Sequence, residues 1–93
     1  TDGLIVIVVA MDSDTGEIVS EPDVVSRGFV YVRESENLME DIKRVIYEEV
    51  KKCEEGHITD WSTIKSNLKD TLRDYIFEKT KRNPMILPVI MEV

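Results

Sequence analysis

The stretch "LIVIVVAM", Leu4 to Met11, decides the fold. Six of its eight residues are Ile, Leu or Val, and no position is polar. A run this short, β-branched and apolar on both alternating faces predicts a strand covered on two sides. It is about ten residues too short to cross a bilayer as a helix. No basic segment precedes it, so a signal peptide is not expected. Thr1 stands where an initiator methionine would, and the expectation is a piece of a longer chain.

Outward from this run, "DSDTGE" (Asp12 to Glu17) predicts a tight turn, with Gly16 free to take a positive φ. "IVS" then predicts the returning strand of a hairpin, interrupted at Pro22 and Asp23. "VVSRGFVYVRE" predicts further β-structure, with a bulge or bend at Gly28. The period then changes. Leu38, Ile42, Val45, Ile46, Val50 and Cys53 fall on one helical stripe. Asn37 and Glu40 have the spacing of a capping box, and Gly56 is the expected stop. Asp60 is placed to cap a second helix, whose stripe is Trp61, Ile64, Leu68, Leu72, Tyr75 and Ile76. Asn83 and Pro84 end it.

The chain closes on "MILPVIMEV", Met85 to Val93, a strand whose Pro88 requires an edge or a kink. The order is β-β-β-α-α-β. The fold class is α+β: one sheet of about four strands with two helices on one face. The last strand is expected beside Leu4 to Met11. One of its faces should pack on the Trp61, Leu68 and Leu72 stripe, and Leu87 is expected in the core. Two helices cover one sheet face, so the other apolar face is expected to meet a second copy or another domain.

Composition narrows the chemistry. Ninety-three residues suit one domain, and 42% hydrophobic content argues against disorder. The net charge of −7 disfavours tight non-specific binding to nucleic acid. One cysteine, Cys53, permits neither an internal disulfide nor an all-cysteine metal site, and fits a reducing compartment. The one histidine, His57, follows Gly56 in the inter-helix loop, so a Cys53–His57 nucleophile pair is disfavoured against a core cysteine and a surface histidine. "DSDTGE" fails the EF-hand pattern, with Gly16 at loop position five and Glu17 at six. No phosphate loop or zinc spacing is present, and no residue is assigned a catalytic, cofactor or metal role.

Basic residues form three groups: Arg27 and Arg33; Lys65, Lys69 and Arg73; Lys79, Lys81 and Arg82. The second group, spaced four apart, makes a ridge on the second helix. It supplies the candidate weak RNA contacts Lys65, Lys69 and Arg73. Trp61, Tyr75 and Phe29 are expected in the core. Phe29 and Tyr31 come nearest to a base-stacking pair, but acids surround them.

"PDVVSRGFVYVRES" (Pro22 to Ser35) and "RDYIFEKTKRNPMILPVIMEV" (Arg73 to Val93) closely resemble the C-terminal domain of bacterial ribonuclease J. "DGLIVIVVAMDSDTGEIV" and "DWSTIKSNLKDTLRDYIFEKT" are similar to the same domain, so the resemblance runs the length of the chain. It implies a parent RNA hydrolase with metallo-β-lactamase and β-CASP domains. Such a parent would use zinc, degrade RNA 5′ to 3′ and cut internally, in RNA maturation and decay in the cytoplasm. Its H-x-H-x-D-H metal motif maps onto no position here, so these residues are expected to be inactive alone. The implied role is an accessory domain that supports oligomerisation, with a second copy and the catalytic domains as partners and no membrane. The rival readings are a free-standing RNA-binding module on the Lys65 ridge and a small autonomous enzyme, for which no site is visible.

Overall fold

A computed structural model describes residues 3–28, 35–58 and 60–93, with the side chains of Ser35 and Glu36 outside the description. The elements run β1 (Leu4–Met11), β2 (Asp23–Arg27), α1 (Ser35–Glu55), α2 (Trp61–Thr80) and β3 (Met85–Glu92). The sheet is three-stranded and mixed, in the order β2-β1-β3. The class is α+β, as expected. The expected count of about four strands and the order β-β-β-α-α-β are corrected to three strands and β-β-α-α-β among the described residues.

The correction has a local cause. Asp12 Oδ1 accepts from the N–H groups of Asp14 (2.7 Å) and Thr15 (3.0 Å). Gly16, at φ +76°, donates to the Asp12 carbonyl at 2.8 Å. This closed turn reverses the chain as predicted. After it only Ile18 bridges back, to Met11, before the chain leaves the ladder. The expected returning strand "IVS" is therefore a single bridge. Pairing resumes at Asp23, antiparallel to β1, with Val25 opposite Val6. Gly28 takes φ +68° just past β2, a bend as expected. Phe29, Tyr31 and Arg33 lie outside the described residues.

The β3 strand lies parallel to β1 along its whole length, from Leu4 beside Met85 to Met11 beside Glu92. The Met85 N–H donates to Gly3 at 2.8 Å and the Val93 N–H to Met11 at 3.0 Å. β3 is an edge strand, which admits Pro88.

Along β1, Ile5, Ile7, Val9 and Met11 are buried while Leu4, Val6, Val8 and Ala10 are half-buried. The buried set shares one core with Leu38, Ile42, Val45, Ile46, Val50 and Cys53 of α1, Ile64, Leu68, Leu72 and Ile76 of α2, and Ile86 of β3. Both helical stripes are thus confirmed. Trp61 and Tyr75 pack at its margin.

Each helix stops on a left-handed residue that is not glycine. The α1 helix ends in a Schellman arrangement: Ile58 N–H donates to Cys53 at 2.8 Å and His57 N–H to Glu54 at 3.0 Å. The helix stops just before Gly56, as expected, and the residue at positive φ is His57 (58°). The α2 helix ends at Lys81, φ 61°, whose N–H reaches the Phe77 carbonyl at 2.8 Å, ahead of Asn83 and Pro84. At the α1 start the helix extends two residues before Asn37, so Asn37 lies within the helix and the expected capping box is not its N-terminus. Glu40 instead pairs with Lys43 at 3.7 Å. Asp60 does occupy the N-cap of α2. Its carboxylate accepts from the Thr63 hydroxyl at 2.8 Å, not from a backbone N–H.

Candidate functional site

The sheet has one face under the helices and one with no element of the described chain on it. Residues directly opposite in a sheet share a face. The half-buried face of β1 therefore continues into Val25 on one flank and Met85, Leu87, Val89 and Met91 on the other. Val93 follows the same alternation. The exposures are large for apolar side chains: 67% at Met85, 48% at Leu87, 61% at Val93. This is the uncovered apolar face that the sequence predicts. Leu87 belongs to it, which corrects its expected place in the core. The inward β3 residues are Ile86, Pro88, Ile90 and Glu92, and Ile86 alone is fully buried. Ile90 packs against the core, and Glu92 accepts a hydrogen bond from the Trp61 indole N–H.

Lys65, Lys69 and Arg73 are all exposed on α2, spaced as one row. Arg73 is engaged with Asp70 at 3.2 Å. Lys69 and Arg73 border an open cleft of about 370 Å³ whose other walls are Gly3 and residues 83–86, while Lys65 stands outside it. Lys79 and Lys81 lie over the rings of Tyr75 and Phe77, at 5.7 and 5.3 Å. The structure thus brings two of the three ridge residues to one cleft.

Cys53 is buried and His57 exposed, with the Schellman turn between them. Cys53 instead joins an inter-helix set that the sequence reading missed. Its thiol faces Glu49 Oε2 at 3.9 Å and the Asn67 amide at 3.8 Å, and the Thr71 hydroxyl donates to Glu49 Oε1 at 3.1 Å. The spacing Glu49–Cys53 was the available signal, since residues four apart on a helix meet. Among the described residues no three His, Cys, Asp or Glu side chains converge to hold a metal ion. The described residues do not fit the zinc that the resemblance implies for the parent, and no chemical step is assigned through it. Among the described residues no helix is long and apolar enough to cross a membrane.

Tyr75 has a displaced titration. Its pKa is raised above the ordinary 10.0, first by burial and then by a hydrogen bond to Asp41 and that carboxylate's charge; Arg44 opposes the shift. Arg44 is shared, at 3.8 Å from Asp41 and 3.2 Å from Glu48. This cluster ties α2 to α1 at the surface.

A family model described as the ribonuclease J C-terminal domain matches residues 1–93. Ribonuclease J2 of Bacillus subtilis (strain 168) is 42% identical over 92 residues, covering 99% of this chain and 17% of the relative. Ribonuclease J 2 of Staphylococcus aureus (strain NCTC 8325 / PS 47) is also 42% identical, over 99% of this chain and 16% of the relative. The chain spans about a sixth of the length of these curated relatives. With the family model matching its full length and relatives 42% identical over 99% of it, the chain belongs to the ribonuclease J C-terminal domain family.

Proposed function

We propose that residues 1–93 act as the C-terminal accessory and oligomerisation domain of a larger ribonuclease. In this reading the parent hydrolyses RNA with zinc, from the 5′ end and internally, in RNA maturation and decay in the cytoplasm. The chemistry resides in metallo-β-lactamase and β-CASP domains outside this chain. The domain contributes assembly and holds the catalytic part competent, with a second copy and those domains as partners. One observation carries the reading: a sheet face made of Leu4, Val6, Val8, Leu87, Val89 and Met91 that no described element covers. Large exposed apolar patches on small domains mark contact surfaces. Sedimentation of the chain across a concentration series tests it. Association that Leu87→Arg abolishes supports the reading, and a monomer throughout overturns it. Purified chain given RNA with zinc or manganese should leave the RNA intact.

The row of exposed Lys65, Lys69 and Arg73 favours a second reading, a module that grips RNA phosphates. Gel shifts at two salt concentrations separate the two. The first reading expects a Kd weaker than about 10 μM at physiological salt. A tighter Kd that is lost on changing the three residues to Ala establishes the second.

A further inference from the structure

The uncovered face carries two unlike charges, both on β2. The register sets Arg27 beside Leu4, Val25 beside Val6 and Asp23 beside Val8. Asp23, Val25 and Arg27 therefore all stand on the side away from the helices, and all three are exposed. No ion pair among the described residues involves Asp23 or Arg27. They sit symmetrically about Val25, and the row through Val25 continues into Val6 and Leu87.

A strand with this pattern is complementary to its own reversed copy. A two-fold axis lying between two such faces, along the row Val25–Val6–Leu87, reverses strand direction and keeps each strand over its counterpart. Arg27 then meets the partner's Asp23, and Asp23 the partner's Arg27. Packed sheets stand about 10 Å apart, which an Arg and an Asp side chain span together. An axis parallel to the strands would instead lay β2 over β3, setting both charges against Met85, Val89 and their neighbours. Desolvating unpaired charges is costly, so that arrangement is disfavoured.

Edge pairing through β3 is disfavoured too. The Met85 and Val93 N–H groups point to β1, and strand alternation sends Leu87, Val89 and Met91 the same way. The outer edge is left with the N–H groups of Ile86, Ile90 and Glu92, and Pro88 removes the donor in the middle. A proline at this point blunts an edge against strand addition.

The face is modest. Three strands of up to eight residues cover about 400 Å², roughly half of what one partner contributes to a standard interface. Association is then weak and concentration-dependent, and rim charges suffice to choose the register. We infer that a second copy docks face to face with its strands antiparallel, centred on the row Val25–Val6–Leu87 and keyed by two reciprocal Arg27–Asp23 pairs. This rests on the assembly reading above and specifies its geometry.

A charge exchange tests it by sedimentation equilibrium in about 150 mM salt, with circular dichroism confirming that each variant is folded. Asp23→Arg alone and Arg27→Asp alone each place like charges together twice per dimer, and each should dimerise at least about tenfold more weakly than the parent chain. An equimolar mixture of the two variants should associate about as well as the parent chain, because the mixed pair restores both unlike contacts. The double variant D23R/R27D should do the same. If the parent chain dimerises but the single variants match it, or their mixture associates no better than either alone, the antiparallel docking is wrong while the assembly reading stands. If the parent chain is monomeric up to about 1 mM, both fall.

Discussion

Trp61 donates its indole N–H to the Glu92 carboxylate, joining the first residue of α2 to the last residue of β3. The contact fastens the end of an edge strand that, among the described residues, has no neighbour on its outer side. Trp61→Phe keeps a ring at the core margin and removes the donor. A hydrogen bond to a charged acceptor contributes about 1.5–3 kcal/mol, and less where water competes. The expected loss is about 1 kcal/mol, a fall in Tm of roughly 4–8 °C for a domain of this size. Glu92→Gln retains an acceptor and should lose less. Thermal melts of both variants check the ranking.

Two leucines should separate the two faces of the sheet. Leu68 is fully buried, and Leu68→Ala should cost about 2–5 kcal/mol in denaturant titration. Leu87 stands on the uncovered face, and Leu87→Ala should change monomer stability by less than about 1 kcal/mol. A large destabilisation by Leu87→Ala at dilutions where the chain is monomeric would place that residue in the core after all.

Deleting residues 85–93 should abolish cooperative folding. β1 would lose the parallel partner that runs its whole length, and the core would lose Ile86. A small domain has only about 5–15 kcal/mol in total. Far-ultraviolet circular dichroism with thermal melting checks this, and a sharp transition in the deleted chain would refute it.

Stability should fall at high pH through Tyr75. Its folded pKa is raised, so the fold favours the protonated phenol. That contribution is complete below the unfolded pKa of about 10 and is lost as pH rises through the higher folded value. Tyr75→Phe should flatten the decline in Tm between about pH 9 and 12 relative to the parent chain. An unchanged slope would show that ionisation of Tyr75 does not drive it.

The helices were legible because the apolar positions at helical spacing, Leu38, Ile42, Val45, Ile46, Val50 and Cys53 on one and Ile64, Leu68, Leu72 and Ile76 on the other, are the buried ones, while off-stripe Tyr47 is exposed. The first strand and its last-strand partner were legible from their apolar runs. The orientation of β3 was not. Both alternating sets of Met85 to Val93 are mostly apolar, so periodicity does not say whether Leu87 or Ile86 points inward. The register with β1 decides it, placing Ile86 beside buried Ile5 and Leu87 beside outward Val6. The returning hairpin strand was overread because β-branched residues at Ile18 and Val19 suit a strand, while the Asp12 turn delivers the chain to one bridge only. The uncovered face was foreseeable by counting apolar faces against helices. The symmetric placement of Asp23 and Arg27 needed the β1–β2 register and was invisible without it.

The parallel pairing of β1 with β3 bears on how the chain reaches its fold. Leu4 meets Met85 across nearly the whole sequence, whereas α1 and α2 adjoin and pack through a short loop. Closing a long loop costs entropy before any contact repays it, so local pairs form first. The helix pair should therefore be the early structure and the sheet the late one. In kinetic terms, Leu68→Ala should slow refolding, while Ile86→Val should chiefly hasten unfolding. The domain would then hold its outer face unformed until its final strand is in place, so the surface proposed for a second copy would exist only on a chain that has finished folding.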